Sequence, residues 1–207
     1  MIITYYGYQF FKVQFGDVVL ALDPVSKKSK LKTAKFGADI VAVSTQHDDF
    51  NGFDQIGYGD KQPFVVYGPG EYEIKDVFIK GFQVESEYDK KRRLNTIYKI
   101  SLEGMNICFL GAINSDNLDS EILQSIGEVD ILFVPIDSLS AAKAYKLAVK
   151  LEPSIVIPMQ YAETSKEIAN FVKEGGDTKI KPVDKLTLKK KDLVDKDAEI
   201  ILLSPSS

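Results

Sequence analysis

This chain of 207 residues holds one cysteine and one histidine, and each scarcity closes off a class of chemistry. A single thiol, Cys108, cannot form a disulfide within the chain, which fits a reducing cytoplasm. Its place in the apolar run Asn106-Ile-Cys-Phe-Leu110 reads as a small buried hydrophobe, because a reactive thiol needs an electropositive, partly open site. A lone histidine, His47, excludes any site built from clustered imidazoles. Positive charge is not in excess either. Lys+Arg 26 against Asp+Glu 30 leaves a net charge of −4, which offers no general attraction to nucleic-acid phosphates. No apolar run approaches membrane-spanning length. The first residues, Met1-Ile-Ile-Thr-Tyr-Tyr6, lack the basic and apolar regions of a secretory signal. These readings predict a cytoplasmic protein that binds neither nucleic acid nor membrane.

What is present is enough for a substantial core. A hydrophobic content of 44% over this length predicts one domain, residues 1–207. The alternating Gln9-Phe-Phe-Lys-Val-Gln-Phe15, the turn Gly16-Asp17 and the apolar Val18-Val-Leu-Ala-Leu22 predict a hairpin ending at Asp23-Pro24. Thr96-Ile-Tyr-Lys-Ile-Ser-Leu102, Glu103-Gly104 and the run from Met105 to Leu110 repeat that plan. A short apolar run follows each, Ala38–Ser44 and Val129–Pro135, so an internal duplication into two halves is expected. Helical spacing is concentrated in the second half. It joins Leu118, Ile122, Leu123 and Ile126 before Gly127, and Ala141, Ala144, Tyr145, Ala148 and Leu151 before Pro153. Thr164 and Glu167 have capping-box spacing ahead of Ile168, Phe171 and Val172. Continuous apolar runs such as Ile131–Val134 and Ser154–Ile157 suit strands covered on both faces, so the class is layered α/β. The lysine runs at 27–28, 90–93 and 189–191 lie near acidic residues and read as solvated loops or strand edges.

Several segments, in order along nearly the whole chain, resemble the metallo-β-lactamase superfamily, and within it small zinc-dependent hydrolases related to ascorbate-6-phosphate lactonase. Thr45-Gln-His-Asp-Asp-Phe50 is similar to the His-x-His-x-Asp-His signature. Tyr5-Tyr-Gly-Tyr8 resembles an opening segment with a histidine in place of Tyr8. Leu22-Asp-Pro24, Tyr67-Gly-Pro-Gly-Glu-Tyr72 and Leu94-Asn-Thr-Ile-Tyr98 match further segments. Val84-Glu-Ser-Glu-Tyr-Asp89 carries Tyr88 where a ligand histidine is usual. Leu110-Gly-Ala-Ile-Asn114 carries Ala112 at the place of a bridging aspartate. Ile157-Pro-Met-Gln-Tyr161 carries Gln160 at the final histidine. The resemblance implies a four-layer αββα sandwich whose metal site keeps only His47 and Asp49.

A hydrolytic zinc ion needs about three protein ligands and an open position. Thr45, Phe50, Tyr88, Ala112 and Gln160 supply none of the usual kind. The expectation is therefore a chain without a metallohydrolase centre and without a cofactor, serving as a binding, scaffolding or oligomeric partner. The competing expectation is a hydrolase of a small ester, lactone or phosphorylated metabolite with one divalent metal (zinc, manganese or magnesium) at His47 and Asp49. His47 reads either as a relict hydrogen-bonded at a cleft mouth or as a ligand, and Asp49 either caps its turn, pairs with His47 or binds metal. Two further arrangements are an oxygen-rich cation site gathering Asp48, Asp49, His47, Glu87 and Asp89, and a metal-free pocket in which Tyr8, Tyr88, Asn114 and Gln160 bind a small molecule. Gly68, Gly70 and Gly111 are expected to serve the backbone.

Overall fold

The alternating and continuous apolar runs become two sheets in the computed structural model, which describes residues 1–57, 59, 62–162, 165–177 and 179–206. The first sheet is built from β1 (Ile2–Gly7), β2 (Phe10–Phe15), β3 (Val18–Leu22), β4 (Ile40–Ala42), β5 (Phe64–Val66) and, at its far edge, β12 (Leu186–Thr187). Its order is β12-β1-β2-β3-β4-β5. The second sheet takes β6 (Gly70–Ile74), β7 (Val77–Tyr88), β8 (Lys91–Leu102), β9 (Met105–Phe109), β10 (Ile131–Pro135), β11 (Ile155–Met159) and β13 (Glu199–Ile200). Its order is β13-β11-β10-β9-β8-β7-β6.

The two halves share one register. In the first hairpin Phe11 faces Leu22 and Phe15 faces Val18. In the second, Tyr98 faces Phe109 and Leu102 faces Met105. Each hairpin is then extended by a parallel strand, β4 beside β3 and β10 beside β9. The expected duplication is thus a duplication of strand order and pairing as well as of apolar pattern.

Side chains on the facing surfaces of the two sheets form the central core, with Ile3, Phe11, Leu20 and Ile40 from the first sheet against Ile79, Tyr98, Ile107, Phe133 and Ile157 from the second. Phe11 and Phe133 meet edge-on, with ring centres 4.7 Å apart. The outer face of the second sheet, including Cys108, Leu132 and Val156, is covered by α1 (Ser120–Ile126), α2 (Ala141–Leu151) and α3 (Lys166–Glu174). The helix stripes lie where their spacing placed them. Gly127 closes α1, and Ser140 caps α2 by accepting the Lys143 amide, while Pro153 follows just beyond its end. The N-cap of α3 is Ser165, and Thr164, part of the anticipated capping box, lies outside the described residues.

The outer face of the first sheet is covered differently. Ala21, Val41 and Val43 pack under Val25, Leu31, Phe36, Ala38 and Ile56, from irregular chain spanning 24–39 and a short turn near 53–56. That stretch carries lysines at 27, 28, 30, 32 and 35 and no helical apolar repeat, so stacked aromatic rings do the covering. Phe36 stacks on Tyr6 and on Phe10. The sandwich is the expected one, with irregular chain as its fourth layer among the described residues. No helix among those residues is long and apolar enough to cross a membrane.

Candidate functional site

The strands β1, β4, β7, β9 and β11 all end at one edge of the sandwich, where the two sheets meet. Tyr8 follows β1, the loop from Thr45 to Phe50 follows β4, Tyr88 ends β7, Ala112 follows β9 and Gln160 follows β11. The residue positions that the sequence singled out therefore share one locality, and direct bonds link the sheets there. The Gln160 amide donates to the Tyr8 carbonyl at 2.6 Å, and the Tyr8 and Tyr88 hydroxyls are 3.0 Å apart.

An aromatic cluster fills the middle of this edge. Phe50 is fully buried. Its ring lies 6.0 Å from Tyr8 in a stacked arrangement and 4.7 Å from Tyr88 edge-on. His47 packs edge-on against Tyr88 at 4.9 Å. These contacts combine apolar burial with favourable ring geometry. His47 is hydrogen-bonded, as one of its readings required, because its Nδ1 accepts the Asp49 amide at 3.1 Å. A neutral ring with that bond carries its proton on Nε2, which lies 4.0 Å from Asp89. The Asp49 carboxylate lies 3.3 Å from His47 Nδ1, the pairing that one reading of Asp49 expected, and it is held by further groups. It accepts the Tyr88 hydroxyl at 2.6 Å and the Ser29 hydroxyl. Because Tyr88 donates to Asp49, Tyr8 must donate to Tyr88. Burial first, and then the bond to Asp49, push the Tyr88 pKa up, so this phenol stays protonated.

Beneath the cluster lies a buried polar network. Asp23, fully buried at the end of β3, accepts both the amide (2.6 Å) and the hydroxyl (2.5 Å) of Ser44. Burial raises its pKa to about 8, and the Ser44 bonds only partly oppose that shift. Asn95 ties the sheets together. Its Oδ1 accepts from the Thr45 hydroxyl and the Ala112 amide, and its Nδ2 donates to the Leu110 carbonyl. Gly111 sits under this hub with a φ of +64°, and a Cβ there would come within 2.4 Å of Asn95 Oδ1 and 2.6 Å of Ser44 Cβ. The expected backbone role of that glycine has this physical cause. Ser29, Ser44 and the hub role of Asn95 were not foreseen. Asn95 and Asp23 lay inside segments that matched the family, whereas nothing in the sequence marked Ser29.

The sharper groupings are not assembled. Asp48 and Glu87 are exposed, and Asp89 is 68% exposed. Among the described residues no group of three or more His, Cys, Asp or Glu could hold a metal ion, so the oxygen-rich cation site is not formed. Asn114 is also exposed and bonds with Ser86. The donor set does not fit the family's metal. Phe50 and Ala112 offer no donor atom, Thr45 is committed to Asn95, and Gln160 Oε1 already accepts the Ser138 amide. His47 has one nitrogen left and each Asp49 oxygen already accepts one hydroxyl, and even both residues together fall short of the three ligands a catalytic zinc requires.

Two clefts flank the cluster. One, of about 500 Å³, is lined by His47, Asp49, Tyr88, Asp89, Lys28 and Ser29. The other, of about 480 Å³, opens beside Tyr8.

The family model described as a beta-lactamase superfamily domain matches residues 2–160. Among curated proteins, none is similar enough in sequence to count as a relative. Among solved structures, one from Thermotoga maritima, assigned as a Zn-dependent hydrolase of the metallo-β-lactamase superfamily, is 24% identical. The match covers 98% of this chain and 97% of that one, with a TM-score of 0.75. A structure assigned as a metal-dependent hydrolase from Parabacteroides distasonis is 18% identical over 98% and 93%, with a TM-score of 0.67. Igni18, a metallo hydrolase from Ignicoccus hospitalis, is 20% identical over 100% and 96%, with a TM-score of 0.64.

Proposed function

Since this chain belongs to the beta-lactamase superfamily domain family, we propose that it is a member whose hydrolytic metal centre has given way to a packed aromatic and hydrogen-bonded cluster, so that it acts by binding. The observation that carries this reading is Phe50, which is fully buried among Tyr8, Tyr88 and His47 at a position where the family uses a ligand histidine. A fold does not fix a function, and the frame is kept here while the donors are not. The exposed rings of Phe64 and Phe78, near the free edges β5 and β6, support a role in protein contact. A cytoplasmic setting belongs to the same reading. Its support is Cys108, which is buried and whose thiol burial pushes up to about 12, so that it stays neutral.

The alternative is a hydrolase of a small ester, lactone or phosphorylated metabolite with a mononuclear site. In its favour, His47 Nε2 faces the cleft that Asp89 also lines. Elemental analysis separates the two readings. Protein purified without chelator and dialysed against zinc and manganese is expected to hold well under one metal per chain. His47→Ala and Asp49→Ala should leave that content unchanged. Stoichiometric metal that either substitution removes would overturn the binding reading. Light scattering on the same preparation reports whether the binding partner is a second copy.

A further inference from the structure

We propose that the cleft beside Tyr8 binds an organic cation, an amine or guanidine carried on an apolar or aromatic body. This deepens the binding reading and rests on it. The cleft measures about 480 Å³ and is walled by Tyr5, Tyr6, Tyr8 and Tyr161, with Asp137 and Glu167 on its lining. That size lies within the range of small-molecule sites.

Three features point to the ligand's chemistry. First, the two carboxylates repel each other across the cleft. Burial raises the Asp137 pKa and the charge of Glu167 raises it further, and among the described residues neither acid has an ion-pair partner. A cation between them would relieve that repulsion. Lys32 also lines the cleft and is exposed like the two acids, so the three charged side chains leave one net negative charge there. The amino end of α3 contributes only about half a positive charge against two carboxylates. Second, tyrosine faces attract organic cations. A small hydrated metal ion would gain little from such walls and, among the described residues, would find only two carboxylates. Third, Ser165 is the N-cap of α3, yet its hydroxyl does not make the usual cap bond. That Oγ is buried, without a hydrogen-bond partner among the described residues, and its residue is on the cleft lining, so a rotation of the side chain would bring the hydroxyl to the cleft. A buried hydroxyl left unpaired is costly, and a ligand N–H or O–H would satisfy it.

The test uses the full chain after chelator treatment, so that its outcome is separate from the metal analysis. Tryptamine and benzyltrimethylammonium are titrated by calorimetry beside tryptophol, the neutral counterpart of tryptamine. The expected result is saturable binding of at least one cation, with tryptophol about ten-fold weaker or more, since each ten-fold step corresponds to about 1.4 kcal/mol. Asp137→Asn and Glu167→Gln should abolish the preference for charge while leaving the ligand-free melting temperature near that of the parent. Binding of neither cation at millimolar concentration would overturn the inference. So would equal binding of tryptamine and tryptophol, or a preference that survives both substitutions. Any of these would leave the metal-free reading standing, whereas stoichiometric metal would remove that reading whatever the amines do.

Discussion

Phe50→Ala is expected to lower the free energy of unfolding by about 3–5 kcal/mol, the range for truncating a fully buried phenylalanine. The ring has no exposure and three aromatic neighbours. Removing it therefore loses apolar burial and ring contacts and opens a cavity that Tyr8 and Tyr88 cannot easily fill. Those two hydroxyls are tied to each other, and Tyr88 is tied to Asp49. Phe50→Leu, which keeps most of the volume, should cost clearly less. Urea unfolding with an unchanged m-value provides the measurement. A loss below about 1 kcal/mol for Phe50→Ala would mean that the ring is not a packed replacement for a ligand.

The second large effect is a fall in stability as pH rises. Asp23 has a folded-state pKa raised by burial from the ordinary 3.8 to about 8. Between those values the folded protein holds a proton that the unfolded chain has released. The stabilisation is complete below about pH 4 and is lost progressively toward pH 8, at up to about 1.4 kcal/mol per pH unit. Asp137, whose pKa is also raised, acts in the same direction. Tyr8, pushed up to about 12 chiefly by burial, titrates well above this window. Asp23→Asn mimics the neutral acid, because its amide can still accept the Ser44 N–H and donate to the Ser44 hydroxyl. The variant should match the parent near pH 4, exceed its stability increasingly toward pH 8 and show a much flatter profile between. A parent profile that is flat or rising from pH 5 to 8, unchanged by the substitution, would contradict the burial of a neutral Asp23.

Much of the fold was legible because strand and helix periods are written into short stretches. The hairpins at 9–22 and 96–110 were readable from alternation and turn residues, and the three helices from spacing. The irregular layer over the first sheet was not positively readable. Its covering residues, Val25, Leu31 and Phe36, are separated by lysines and follow neither period. At the site, the positions that the sequence singled out lie together, because each sits in a local segment with recognisable neighbours. It could not foresee what fills the space. The stacking of Phe50 on Tyr8, the Ser29 bond to Asp49 and the link from Asn95 to Ala112 each join residues distant in sequence, and composition and periodicity carry no record of such pairings. That Tyr88, expected at the place of a ligand, donates to Asp49 also depends on which way two loops face.

The most direct measurement is a crystal structure after soaking in zinc, with anomalous scattering used to place the ion. The account predicts an ordered Phe50 ring packed between Tyr8 and Tyr88, with no fully occupied zinc beside His47. A fully occupied ion there, bound by His47 and at least two more groups of this chain, would contradict it.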